Sequence, residues 1–306
     1  DDDDWFPKGE YAKLSQLGVL GITLPSELGG AGMDEAAQAM VAHALAKWNP
    51  SLSLSYLASD NLCANNLNRH GSDFLREKYL PGFCDGTILG ALGMTEPGAG
   101  SDALGSMATR ARRDGDNYIL NGRKLWITNG PEAEVVLVYA KTAPEAGNRG
   151  ISAFLVETGF PGFGVDKKLD KMGYRGSPTG ELVFEDCVVP AENLVGEENN
   201  GVRVMMSGLD LERALLAAHC VGICERALEL SIDWAKNREQ FGTAIGNQQL
   251  VQRMLAHMYT DTASARNFCY QIIRECEGLT DDQVGRGEIH MRTAASVLLA
   301  GGAINR

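Results

Sequence analysis

Leu92-Gly93-Met94-Thr95-Glu96-Pro97-Gly98-Ala99-Gly100-Ser101-Asp102 is where the chain changes character. Upstream, apolar residues recur at helical spacing. From Asp34, a plausible N-cap, to Trp48, the residues Ala37, Met40, Val41, Ala44 and Leu45 share one face, and Asn49-Pro50 stops the run. Leu52–Leu67 and Ser72–Tyr79 read as further helices, and Leu28-Gly29-Gly30-Ala31-Gly32 as a loop needing backbone freedom. Downstream come short runs of strand composition: Met107–Arg112, Tyr118–Leu120, Lys124–Thr128, Val135–Lys141, Ile151–Val156 and Glu181–Phe184. Asp114-Gly115 and Asn121-Gly122 between them are hairpin dipeptides. With no helix of crossover length between the runs, this zone reads as a small antiparallel barrel or sandwich. From about 198 turn signals thin out, and Val202–Trp234, Gln248–Cys276 and Asp281–Ala300 read as three long helices. In the middle one, Leu250, Met254, His257 and Met258 form a stripe that neighbouring helices should bury. The fold class expected is α+β: a helical domain over 1–91, a middle β domain over 92–197 and a helical bundle over 198–306.

Composition narrows the function. The chain has 306 residues, 44% hydrophobic and 22% charged, which is ordinary globular usage with ample material for buried cores. Its 28 Lys+Arg against 40 Asp+Glu give a net charge of −12, which argues against nucleic acid or an anionic membrane as the main partner. No apolar run is long enough for a membrane span, and Asp1-Asp2-Asp3-Asp4 is the opposite of a signal peptide's basic start. Seven scattered cysteines read as core thiols of a reducing compartment, and the five histidines show no metal spacing.

Four segments can carry chemistry, each with a blander reading beside it. The glycine-rich 92–102 stretch brings backbone N–H groups close to a ligand, with hydroxyls from Thr95 and Ser101; it is otherwise a plain turn. Lys124-Leu125-Trp126-Ile127-Thr128-Asn129-Gly130 puts an indole and a hydroxyl two residues apart, suited to a planar cofactor; otherwise Trp126 belongs to the core. In Leu209-Asp210-Leu211-Glu212-Arg213-Ala214-Leu215-Leu216, Glu212 shares its helical face with Gly208, Leu209, Leu215 and Leu216. A carboxylate there is costly unless paired or functional, and desolvation suits it to general-base work; otherwise it is a first-turn acid on a helix dipole. Asn237-Arg238-Glu239-Gln240-Phe241-Gly242, followed by Gln248-Gln249, suits a phosphate or nucleotide ring, or is a surface turn between helices.

The order and separation of these segments resemble the flavin-dependent acyl-CoA dehydrogenases over nearly the whole chain. The resemblance rests on Met94–Asp102, Trp126–Gly130 and Arg238–Gly242, with Lys167–Gly173, Arg175-Gly176-Ser177 and Phe184–Cys187 also fitting. Leu209–Arg213 and Leu54-Ser55-Tyr56-Leu57-Ala58 resemble the isovaleryl-CoA branch, whose catalytic Glu lies on this helix at the position of Glu212. Leu57 and Arg203 depart from that branch, which has Gly and Tyr there.

The resemblance implies FAD as cofactor and Glu212 as the base. It implies α,β-dehydrogenation of a short branched-chain acyl-CoA, with electrons passing to electron-transfer flavoprotein. FAD contacts are implied for Leu92, Gly93, Met94, Thr95, Gly100, Ser101, Trp126, Ile127 and Thr128, with Arg238 and Gln249 reaching a neighbouring subunit's FAD in a homotetramer. Substrate contacts are implied for Ser101, Asn148, Arg149, Asp210, Leu211 and Arg213, with Leu54 and Ala58 lining the acyl pocket. Medium-chain or larger branched substrates, or a non-catalytic acyl-CoA- or flavin-binding module, are the alternatives. The family also implies a helix before position 1, a substantial stretch after Arg306, and a mitochondrial-matrix or bacterial-cytoplasmic location.

Overall fold

The computed structural model describes residues 6–277 and 287–305. In chain order its helices and strands begin with α1 (Lys8–Lys13), α2 (Glu35–Trp48), α3 (Pro50–Tyr56), a wide π-helical segment (Leu57–Asn65), α4 (Asn66–His70) and α5 (Asp73–Asp85). Next come β1 (Gly90–Gly93), α6 (Ala103–Ser106), β2 (Arg110–Asp114), β3 (Asn117–Thr128), β4 (Val135–Lys141), β5 (Ile151–Glu157), β6 (Phe163–Lys168), β7 (Thr179–Pro190) and β8 (Leu194–Val195). The chain then runs through α7 (Gly201–Asn237), β9 (Glu239–Gln240), β10 (Thr243–Ala244), α8 (Gln249–Cys276) and α9 (Gly287–Ile304). Helical terminal parts thus flank a β region. By contacts the chain forms two compact units, Asp1–Asp34 with Leu54–Leu209, and Glu35–Ser53 with Asp210–Arg306.

The first unit is organised by β4. Its sequence Val-Val-Leu-Val-Tyr-Ala-Lys is buried on both faces, the pattern of a strand covered on two sides. Val135, Leu137 and Tyr139 face a core completed by Leu67, Leu75, Leu80, Phe83 and Met205 from helices. Val136, Val138 and Ala140 face a second core with Tyr118, Leu120, Phe154, Leu182 and Phe184 from strands. Strand order is β6-β7-β3-β2-β4-β5-β8, with β1 also beside β4. The pairing is antiparallel except that β1 and β2 each run parallel to β4, the latter through Arg110↔Lys141 alone. β6 carries no apolar alternation, since most of its side chains are exposed, and so leaves no strand signal. β2 starts at Arg110 and not at Met107, because Glu96 takes the N–H groups of Ala108 and Thr109 out of the ladder.

Asn121-Gly122 is not a hairpin. Tyr118–Leu120 and Lys124–Thr128 belong to one strand, β3, with a bulge between them. Register against β7 shifts between Leu120↔Cys187 and Gly122↔Phe184. The Asn121 side chain and Asp186 satisfy each other: Asn121 Nδ2 donates to Asp186 Oδ1 at 3.0 Å and Asp186 N donates to Asn121 Oδ1 at 2.9 Å. Asp114-Gly115 is a true turn, with Gly115 at φ 61° between β2 and β3.

The second unit packs helices through small residues. Ala39, Ala42 and Ala46 of α2, Ala214, Ala217 and Ala218 of α7, and Ala265 and Cys269 of α8 are buried. Gly222 of α7 approaches α2 so closely that a Cβ there would lie 2.3 Å from the His43 carbonyl oxygen. All seven cysteines are free and buried. Among the described residues, the fully buried positions of α8 lie in its C-terminal half, at Thr262, Ala265, Cys269, Ile272, Ile273 and Cys276. The stripe expected to be buried is not: Leu250 is 73% and Met254 58% exposed, His257 is exposed and Met258 half-buried. A buried stripe needs a neighbour along its length, and the described residues leave Leu250, Met254 and His257 open. The expected helix start at Asp281 lies outside the described residues, and α9 is described from Gly287. Among the described residues, no helix is long and apolar enough to cross a membrane.

The bulge yields a test. Gly122 has φ 152°, and a Cβ there would fall 2.7 Å from Thr109 Cα. Gly122→Ala should destabilise the protein by about 1–3 kcal/mol. A melting temperature equal to the parent's would show that the bulge tolerates a side chain.

Candidate active site

The first unit holds the glycine-rich stretch against a second bulge in β3. Register with β7 shifts between Lys124↔Leu182 and Ile127↔Gly180, so Leu125 and Trp126 leave that ladder. Leu125 pairs with the loop after β1 instead: its N–H donates to the Thr95 carbonyl at 2.9 Å, and its carbonyl accepts the Thr95 hydroxyl. Trp126 takes φ 65°, and its side chain is 61% exposed. An indole left in solvent at a strained backbone position is unlike the core tryptophan of the blander reading.

Beneath the bulge lies a buried ion pair that sequence reasoning did not single out. Lys124 has no exposed side-chain surface and Glu96 only 4%. Lys124 Nζ donates to Glu96 Oε1 at 2.8 Å and to the Met94 carbonyl at 3.2 Å. The Glu96 carboxylate also accepts from Ala108 N at 2.6 Å, from Thr109 N at 3.0 Å and from the Thr109 hydroxyl at 2.5 Å. Burial pushes the Glu96 carboxyl up, but Lys124's charge and these hydrogen bonds outweigh it and hold the group below the usual carboxylate range. A Lys at an otherwise alternating strand position was the available signal; its partner 28 residues away was not visible in the sequence.

The loop itself turns tightly, with Glu96 and Ala99 exchanging backbone hydrogen bonds at 2.9 and 3.1 Å across Pro97-Gly98. At Gly98 and Gly100 an added Cβ would meet nothing within 4 Å. Packing within the chain therefore does not require glycine there, whereas a ligand lying on bare backbone does. Leu92 and Gly93 end β1, Met94 and Thr95 are half-buried, and Ser101 is exposed. Thr128 is half-buried, and its hydroxyl has no partner among the described residues. Ile127 is only 2% exposed, within the strand-side core, so only its backbone is open to a ligand role. Asn148 and Arg149 are exposed in the 3-10 turn Pro144–Gly150. Leu54 stands half-buried in α3, and Ala58 is buried in the π segment.

The second unit contains the remaining residues. Glu212 lies well inside α7, which begins at Gly201, so the first-turn dipole reading does not apply. It makes no hydrogen bond or ion pair among the described residues. Burial pushes its carboxyl up from 4.5 to about 7, against a smaller opposing pull from Arg213. Asp210 is 1% exposed and accepts from Arg213 Nη1 at 2.9 Å and from His290 Nδ1 at 2.7 Å. His290 is a second partner the sequence did not indicate. Leu211 is buried at 4%, while Arg238 and Gln249 are exposed on either side of the β9–β10 hairpin.

A glycine-rich loop stitched to an exposed indole, on a sheet flanked by helical segments, defines a domain class also found by comparison. The acyl-CoA dehydrogenase N-terminal, middle and C-terminal domain models match residues 1–87, 91–187 and 199–297. The chain belongs to the acyl-CoA dehydrogenase family. It is 48% identical over 269 residues to the mitochondrial isovaleryl-CoA dehydrogenase of Pongo abelii, covering 87% of this chain and 63% of that protein. It is 44% identical over 296 residues to the corresponding Oryza sativa subsp. japonica protein, covering 96% and 70%. The structure described as PigA with FAD and proline superposes with a TM-score of 0.91 at 31% identity, covering 99% of this chain and 78% of that one. The chain thus spans about two thirds of the length of these curated relatives.

Lys124→Met leaves Glu96 buried without its counter-charge and should cost about 3–5 kcal/mol in urea unfolding. Adding Glu96→Gln should restore part of the loss. A single variant as stable as the parent would remove the pair from this role.

Proposed function

We propose that this chain binds FAD and carries out α,β-dehydrogenation of a short branched-chain acyl-CoA of the isovaleryl type, with Glu212 as general base. The observation that carries the reading is Glu212 itself: a desolvated carboxylate on an apolar helix face, without a partner among the described residues and raised toward neutral pH. The thioester acidifies its α C–H only weakly. A base raised to about 7 is a better proton acceptor than an ordinary carboxylate and is still largely ionised just above neutrality. FAD held by the 92–102 loop and the Trp126–Thr128 segment would supply the acceptor for the β-hydride.

The other residues bind and orient. The bare backbone at Gly98 and Gly100 and the fixed Met94–Thr95 segment fit a flavin edge, and the unpartnered Thr128 hydroxyl suits a ring nitrogen. Trp126 offers a platform for the ring system. Leu92, Gly93 and Ile127 would contribute through backbone. Ser101, Asn148, Arg149 and Arg213 would meet the CoA arm, with Asp210 holding Arg213 in place and the buried Leu211 contributing to the same site. Leu54 and Ala58 would line the acyl pocket. Arg238 and Gln249 would reach a neighbouring subunit's FAD, and the uncovered Leu250–Met254 stripe supports assembly into a homotetramer. Electron-transfer flavoprotein as acceptor, a matrix or bacterial-cytoplasmic location, and the 1–91, 92–197 and 198–306 division belong to the same reading.

Glu212→Gln should retain FAD yet lose isovaleryl-CoA-dependent flavin bleaching by several orders of magnitude; retained bleaching would reassign the base. In a substrate panel ranked by kcat/KM, a best acyl chain longer than about six carbons would overturn the branched short-chain assignment.

The raised pKa has a sign for stability. Between 4.5 and about 7 the folded Glu212 holds a proton that the unfolded chain releases, so stability falls as pH rises through that window. Glu212→Gln removes that loss. Its melting temperature should match the parent's near pH 4.5 and exceed it at pH 8, and scanning calorimetry at both values checks this.

A further inference from the structure

Asn129 follows Thr128 at the end of β3 and is fully buried. Its backbone takes φ 65°, a region Asn tolerates better than most residues. Its N–H donates to the Pro178 carbonyl at 2.7 Å, and its carbonyl accepts from Glu132 N at 2.8 Å. The side-chain amide does something a turn does not require. Nδ2 donates to the Ser55 carbonyl at 2.8 Å and to the Gly90 carbonyl at 3.0 Å. One group therefore joins three elements: the end of β3, the last turn of α3 and the first residue of β1. The Ser55 carbonyl lies just before the helix widens at Leu57, where the change from i+4 to i+5 bonding disturbs the normal pairing of carbonyls.

Neighbouring bonds stiffen the same junction. Gly90 N donates to Ser59 Oγ at 2.9 Å, and Ser55 Oγ bonds Ser177 Oγ at 2.9 Å. Asn129 Oδ1 is buried with no partner among the described residues. The residue thus carries an unsatisfied acceptor, a cost in itself, while using both side-chain N–H groups.

We infer that Asn129 is a positioning residue for the reaction: its amide fixes the distance between the Thr128 hydroxyl, which would address the flavin, and the Leu54–Ala58 wall, which would hold the acyl chain. The inference rests on the functional reading above. Sub-ångström placement of the acyl chain against the hydride acceptor governs the chemical step more than affinity.

Asn129→Gly separates this role from a purely conformational one, because glycine keeps the positive φ without strain but removes both donors. Steady-state and single-turnover flavin reduction by isovaleryl-CoA are measured on the FAD-loaded protein. The expected result is a fall in kcat of roughly 10- to 100-fold with KM changed by less than about threefold. A flavin-loaded Asn129→Gly protein with parental kcat overturns the inference.

Asn129→Asp gives a second, independent reading. Its carboxylate faces two carbonyl oxygens and regains an O–H donor only when protonated. The ratio of variant to parent kcat should therefore rise as pH falls from about 8 to about 5.5, and a flat ratio overturns the proposal. If neither variant folds with bound flavin, Asn129 serves stability alone and the inference fails. A parent protein that binds FAD but is not reduced by any acyl-CoA would sink the functional reading instead, so the two failures are distinguishable.

Discussion

A lysine with no surface in water exists in a fold only if its ammonium finds compensation inside, and Lys124 finds it in Glu96 and the Met94 carbonyl. That requirement organises the first unit. The carboxylate that meets the lysine also takes the N–H groups of Ala108 and Thr109, which delays the start of β2 and closes the end of the glycine-rich turn. The loop is then held on β3, where the bulge has freed Leu125 to bond Thr95. An exposed Trp126, and a Thr128 hydroxyl with no partner among the described residues, result from that arrangement.

Three acids, Glu96 and Asp210 buried and Glu212 half-buried, show how surroundings divide one carboxyl chemistry. Glu96 has a cation and several hydrogen-bond donors, so it stays ionised and structural. Asp210 is likewise enclosed, with Arg213 and His290 on its carboxylate. Among the described residues Glu212 has no such partner, and burial lifts it to about 7. The surroundings of Glu96 and of Glu212 push the same carboxyl chemistry in opposite directions. The second unit makes the complementary point with apolar residues. Its helices approach closely on alanine, glycine and cysteine, yet among the described residues Leu250 and Met254 of α8 stay exposed.

Much of the layout was legible because it depends on local pattern. β4 matches the Val135–Lys141 run residue for residue, since a strand buried on both faces is apolar throughout. α2 follows its 3.6-residue spacing to Trp48. Asn121-Gly122 misled for an equally clear reason: the dipeptide suits a tight turn, but Asn121 and Asp186 complete each other across the sheet and make it a bulge. The α8 stripe misled because periodicity reports an apolar face and not what covers it.

By itself, the sequence determined the helical–β–helical order, the glycine-rich loop and the placing of Glu212 on an apolar helical face, because each is written in residues near one another in the chain. Tertiary structure alone decided that Lys124 meets Glu96, that His290 meets Asp210, and that Asn129 reaches both Ser55 and Gly90. Those partners lie 28, 80, 74 and 39 residues apart, and a hydrogen bond acts only over about 3 Å, so only the folded chain brings them together.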